Sequence, residues 1–235
     1  MTALRACDPS LSLTLHRAPA QDPALVDFVW RARRLTADPT ALRQNLQETT
    51  ARTPYGDHVE NPGFRPGARG DPRHAAVLFA VGADDDGTLS LLLTERAAHL
   101  SSHAGQIALP GGKIEAGETA IAAALREAHE EVALPTAALS VLGVAPAYLT
   151  GSGFLVEPVL AVVERGATLA PDPGEVACAF LAPYRHVMTL ANHRKVSFTR
   201  EGWPRTAYEV MVGQRRVWGV TAGILRLIHE KLYAS

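Results

Sequence analysis

The stretch LPGGKIEAGETAIAAALREAHEEVALP, Leu109 to Pro135, decides how the rest of the chain is read, because it joins a glycine-rich loop to a helix with two unlike faces. At about 100° per residue, Ile121, Ala124, Leu125, Ala128 and Val132 fall on one arc, while Glu127, Glu130 and Glu131 gather on another. The first arc is suited to packing. The second sets several carboxylate oxygens on one side of the helix, the ligand type that a hard cation such as Mg²⁺ prefers. Arg126 stands four residues before Glu130, the spacing of a helix-surface ion pair that would orient a ligand and offset repulsion among the glutamates. Glu118, just ahead of the helix, is placed to complement its exposed amide ends and dipole. Gly111, Gly112 and Gly117 free the backbone to turn tightly and approach a ligand or metal, and a peptide carbonyl there could coordinate. Taken alone, three glutamates on an alanine-rich helix are more often a solvated face. The residues around them decide otherwise.

The spacing Gly112-x5-Glu118-x7-Arg126-Glu127-Ala128-x-Glu130-Glu131-x-Ala133-Leu134 resembles the signature of the Nudix hydrolase family. It departs at Ala133, where the family has glycine, so the usual glycine helix ending is absent and Pro135 is left to stop the helix. The resemblance implies an α/β fold, the Nudix α/β/α sandwich with a mixed β-sheet. It also implies hydrolysis of a nucleoside diphosphate linked to another moiety, with Mg²⁺ or Mn²⁺ held by Glu127, Glu130, Glu131 and the backbone of Gly112. Arg126 and Glu118 would support the catalytic group, and the general base would be Glu127 or Glu175, since family members use a glutamate of the helix or one of a later loop. Glu175 lies in Pro171-Asp-Pro-Gly-Glu175-Val, where a solvated turn is an equally good reading.

Immediately upstream, Leu92-Leu-Thr-Glu-Arg96-Ala-x3-Ser101-x3-Gly105-x3-Leu109-Pro-Gly-Gly112 is similar to the additional motif of the coenzyme A diphosphatase branch of that family, with Ser101 in place of arginine and Leu109 in place of phenylalanine. This implies cleavage of coenzyme A or a derivative to adenosine 3′,5′-bisphosphate and 4′-phosphopantetheine. Arg96, Thr94, Gly111, Gly112 and Phe154 are the expected substrate-binding residues. A guanidinium at Arg96 can bond two phosphate oxygens at once; the ordinary alternative is a strand-end ion pair. Phe154, after Gly151-Ser-Gly, and Tyr148 could stack on adenine or line a pantetheine channel, although aromatics beside a sheet are more often core. His99, His103 and His129 lack metal-ligand spacing. Two alternatives stay open, a Nudix hydrolase of another nucleotide derivative such as ADP-ribose and a non-catalytic nucleotide-binding module.

The remaining sequence bounds these expectations. A chain of 235 residues, 47% hydrophobic and 20% charged, can bury a substantial core; the expected division is a loosely ordered or irregularly docked extension over residues 1–35 and one domain over 36–235. A net charge of -1 and a pI near 6.8 give no global positive field, so neither nucleic acid nor membrane is an expected partner. The partner is a small nucleotide substrate, with a homodimer as is common in that family. Cys7 and Cys178 are far apart and show no metal spacing, which argues against a disulfide framework or a zinc site. With no signal peptide or long apolar run, a cytoplasmic protein is expected. The patterns predict a helix over Thr40–Thr50, an irregular connection over Pro54–Pro72, a hairpin of His74–Val81 and Leu89–Arg96 around Asp84–Gly87, and a helix over Thr119–Val132. Strands follow near Leu139–Tyr148, Phe154–Glu164, Val176–Leu181 and Ala207–Val212, before a closing helix over Val220–Leu232.

Overall fold

The computed structural model describes residues 13–37, 55–61, 71–100, 102–200 and 202–234. The helix expected over Thr40–Thr50 and the Ser101 position lie outside these residues. Arg73–Ala83 (β2) is apolar on both sides, and a run of that kind is stable only where both faces are covered. It runs through the middle of a sheet, between Leu89–Arg96 (β3) and Phe154–Val163 (β8). Leu139–Val144 (β6) and Val176–Pro183 (β10) complete the order β10-β3-β2-β8-β6, while the short strands Ile107–Ala108 (β4), Gly111–Lys113 (β5) and Tyr148–Leu149 (β7) pair with β3, β2 and β8. β2 and β8 are parallel and the other pairs antiparallel, which makes the sheet mixed, as expected. The hairpin turn forms because the Asp84 carboxylate accepts the amides of Asp86 (3.0 Å) and Thr88 (2.8 Å), with Gly87 at φ 77°.

Alternation along the strands divides the core in two. On one face Ala76, Leu78, Leu92 and Val159 pack beneath Ala123, Ala124, Ala128 and Val132 of α3 (Ala120–Val132), where α1 is Pro23–Ala37 and α2 is Asp57–Glu60. On the other face Phe79, Leu91 and Leu160 meet α1, the short helix α4 (Tyr184–Met188) and the closing helix α5 (Val220–Tyr233). Helices on both faces of a mixed sheet give the expected α/β/α sandwich. A separate sheet of His193–Arg200 (β11), Trp203–Val212 (β12) and Arg215–Trp218 (β13) joins the second face, and Leu13–Leu15 (β1) pairs with Ala167–Leu169 (β9). No helix of the described residues is long and apolar enough to cross a membrane.

Helix α1 was not legible as an element, and it crosses the boundary expected at residue 35. Its inner face is core: Phe28 is fully buried, with ring centroids 5.8 Å from Phe79 and 5.6 Å from Tyr184. Thr36 donates its hydroxyl to the Leu142 carbonyl (2.8 Å), and Arg31 reaches the Leu232 carbonyl (2.8 Å). Cys178 corrects a second expectation, because it is disulfide-bonded. The other cysteine, Cys7, is outside the described residues. If α1 is integral to the core, Phe28→Ala should lower unfolding stability by about 3–5 kcal/mol, the usual cost of truncating a buried phenylalanine. A chemical denaturation curve measures it, and a loss near zero would mean that the helix is only loosely attached.

Candidate active site

Helix α3 starts where the Thr119 hydroxyl accepts the Ala122 amide (3.1 Å), so the cap is Thr119 and not Glu118. Glu118 turns instead to Arg126, accepting Nε at 3.0 Å and Nη2 at 3.1 Å, and also takes the amide of Glu115 at 3.0 Å. Arg126 then bonds Glu127 (3.1 Å), Glu130 (3.0 Å) and the Lys113 carbonyl (3.2 Å). The predicted pair with Glu130 is present, but it is one arm of a hub that ties the loop before the helix to the helix itself. Hydrogen bonds from Arg126 hold the Glu118 carboxyl below the usual carboxylate range. At the other end of α3, Ala133 takes the left-handed conformation at φ 55° that the family leaves to glycine, and Pro135 follows.

Glu131 faces inward, not onto a solvated side. Its side chain is 3% exposed, and its Oε2 has no hydrogen-bond partner. Burial pushes its carboxyl up to about 8; the Arg96 guanidinium, with Nη1 3.9 Å from Oε1, opposes this, and the nearby Glu127 and Glu175 carboxylates add to it. Burial also raises Glu127, more than its bond to Arg126 lowers it. A Cβ on Gly112 would overlap the Glu127 carboxylate, so glycine there lets that group press against the backbone. Carboxylate oxygens of Glu127, Glu131 and Glu175 all lie within 4.8 Å of one another. A divalent cation fits between Glu127 and Glu131: it would partner the orphaned oxygen of Glu131 and offset the repulsion that both carboxylates share with Glu175. Glu130, 54% exposed and bonded to Arg126, stands outside the group.

Glu175 reaches the group because its loop is stapled to the end of α3. Ala170 donates its amide to the Val132 carbonyl and Asp172 to the Glu131 carbonyl, both at 2.9 Å. Asp172 then accepts the Gly174 amide on its carboxylate (2.8 Å) and the Glu175 amide on its carbonyl (3.0 Å). From the far side, Ala97 donates its amide to the Glu175 carbonyl (2.9 Å), and His99 Nε2 meets the Gly174 carbonyl (3.2 Å). Sequence reasoning overlooked Asp172 and His99 in these supporting places. The Asp-Pro-Gly turn was the available signal for the first; the second had none.

The other predicted residues divide. Arg96, 27% exposed, points at Glu131 and is brought to the cluster. Thr94, two residues earlier on the same face, is buried and donates its hydroxyl to the Ala108 carbonyl at 3.4 Å, so it is packed and not presented. Gly111 packs so closely on β2 that a Cβ would strike the Ala76 carbonyl. Phe154 packs against the core of the opposite sheet face, with the Arg73 guanidinium 3.9 Å from its ring centroid. Tyr148 is core and donates its hydroxyl to Asp57 at 2.7 Å.

Comparison with known proteins bears on the family. Residues 72–201 match the model of the NUDIX domain. A protein of Photorhabdus laumondii named as an uncharacterized Nudix hydrolase, NudL, is 37% identical over 161 residues, covering 68% of this chain and 85% of the relative. The protein of the same name from Escherichia coli K12 is 38% identical over 155 residues, 66% of this chain and 80% of the relative. Among solved structures, the Nudix hydrolase RenU of M. smegmatis is 28% identical and covers 49% of this chain and 73% of its own, with a TM-score of 0.43. The matched domain contains the arginine hub and all three clustered carboxylates, and this chain therefore belongs to the Nudix hydrolase family, as a pyrophosphohydrolase.

Proposed function

We propose that the substrate is coenzyme A or one of its derivatives, cleaved at the diphosphate to adenosine 3′,5′-bisphosphate and 4′-phosphopantetheine with Mg²⁺ or Mn²⁺. The observation that carries this reading is the placement of Arg96: the arginine of the upstream motif lies against Glu131, at the edge of the carboxylate group. Leu109, one of the two departures from that motif, is 3% exposed and packed in the core, so the change alters interior volume and not a substrate-facing surface. Arg96 is suited to hold a diphosphate oxygen next to the acidic cluster without leaving its strand.

Glu127 and Glu131 would hold the cation, which, when bound, neutralises charge on the phosphate oxygens and lowers the pKa of an attacking water. Glu175 is the better base. Glu127 is engaged by Arg126 and pressed on Gly112, and Glu131 is buried, whereas Glu175 is exposed at the mouth of the same group and free to take up a proton and release it to solvent. Glu130 and Glu118 keep Arg126 fixed, and Arg126 in turn sets the Glu127 carboxylate.

Incubation with coenzyme A and Mg²⁺ should release phosphopantetheine. Efficient cleavage of ADP-ribose with none of coenzyme A would overturn the substrate assignment while leaving the hydrolase intact. Glu131→Gln should lower kcat on the order of 10²–10³-fold, the scale for losing one preorganised electrostatic stabiliser, with substrate binding by calorimetry largely kept. Unchanged turnover would remove Glu131 from the chemistry. The buried acid also makes a pH prediction. Because the Glu131 carboxyl is raised from about 4.5 to about 8, the folded state holds its proton more tightly than the unfolded chain, and metal-free stability should fall as pH rises between those values. Added Mg²⁺ should offset that loss increasingly toward pH 8, and Glu131→Gln should flatten the profile; thermal melts with EDTA or Mg²⁺ across this range provide the check.

A further inference from the structure

A near-neutral whole chain conceals a local segregation of charge. Residues 193–218, the span of the β11-β12-β13 sheet, hold six of the 23 lysines and arginines but only two of the 24 acidic residues. One face of this sheet is core, with Tyr208, Val210, Val212 and Val217 buried. By alternation the residues between them point outward. The register sets Arg194, Glu209 and Trp218 in one row, Phe198 beside Arg205, Arg200 beside Trp203, and Met211 beside Arg216.

The outward face is built, not merely basic. Phe198 and Trp218 meet edge to face at 5.5 Å, and the Arg216 guanidinium lies 4.6 Å over the Trp218 ring. The Glu209 side chain, 6% exposed, is sunk between Arg194 and Arg216, which are 66% and 47% exposed. One buried carboxylate thus holds two guanidinium groups in place while their remaining N–H groups reach the surface. Among the described residues, Arg194, Arg200, Arg205 and Arg216 share this outward face with one acid, Glu209; the second acid of the span, Glu201, lies outside the described residues. At the tip of the hairpin, Trp203 is 67% exposed, the most exposed large apolar side chain among the described residues.

We propose that this face docks single-stranded nucleic acid, with phosphates on the arginines and a base stacked on Trp203. Fixed positive charge interleaved with aromatic rings is the chemistry that holds a single strand without reading its sequence. The same charges disfavour a second copy of the chain. β11 is an edge of its sheet, but antiparallel self-pairing centred on Ser197 would set Arg194 opposite Arg200, and stacking two such faces would oppose four arginines to four. The site is separate from the Glu127, Glu131 and Glu175 group and does not depend on the identity of the diphosphate substrate.

The test is titration of a fluorescein-labelled twelve-nucleotide oligouridylate, followed by anisotropy and by quenching of intrinsic tryptophan fluorescence, at low and at physiological salt. Binding should weaken linearly in log–log form as salt rises. Trp203→Ala should weaken it on the order of tenfold and remove most of the quenching. Arg200→Glu should weaken it at least as much. Both positions are exposed, so melting temperature and diphosphate hydrolysis should be unchanged. No binding below about 100 μM at low salt, binding indifferent to both substitutions, or equal affinity for a duplex of the same length overturns the proposal. Binding to phosphatidylserine vesicles without oligonucleotide binding, or dimerisation that Arg200→Glu enhances, overturns it in favour of a membrane or a second copy.

Discussion

A buried carboxyl group with an oxygen that no donor reaches is costly in any core, and the catalytic end of this fold is arranged around one. Glu131 leaves the solvated side of α3 and turns toward the end of β3, where one oxygen has no donor. Arg96 approaches without forming a close pair, so burial outweighs its pull and the Glu131 carboxyl holds its proton well above the usual carboxylate range. Arg126 does the opposite job next door. By satisfying Glu118, Glu127 and Glu130 it removes the repulsion that would otherwise spread the acidic face, leaving the deficit concentrated at one point. Gly111 and Gly112 then matter for reasons of space, since any side chain there would push β5 from β2 or Glu127 from its seat.

Much of this was legible in the sequence because it depends on local spacing. The two-sided apolar run of β2, the Asp84–Gly87 turn, the alanine face of α3 and the closing helix are all consequences of near-neighbour chemistry. The acidic residues of α3 were visible as a group, but their division was not. A helical wheel sets Glu127, Glu130 and Glu131 on one arc, and only the way α3 lies on the sheet decides that Glu131 goes inside while Glu130 stays in water. Glu175 entered as an alternative base; what draws it to α3 is a ladder of backbone bonds from Ala170 and Asp172, which carries no residue-type signature.

Thr94 and Phe154 illustrate the limits of carrying a motif onto a fold. Both belong to stretches whose pattern points to substrate, yet alternation along the strand puts Thr94 into packing and Phe154 on the face away from α3. Helix α1 failed to announce itself for a different reason. Its inner face is carried by Phe28 and Ala32, its outer face includes Val26 and Trp30 at 53% exposure, and that mixture blurs the contrast on which periodicity depends.

The docking of α1 also separates two meanings of the word domain. The family match covers residues 72–201, the span that carries the chemistry. It omits α1 and α5, which together cover one side of the central sheet. A chain trimmed to the matched span would keep every clustered carboxylate but lose α1 and α5 from over Phe79, Leu91 and Leu160, leaving α4 to cover an apolar face of the kind that drives aggregation. The span that the family model matches is therefore smaller than the span that packs as one core, and a minimal enzyme would have to be cut by its hydrophobic contacts and not by the family boundary.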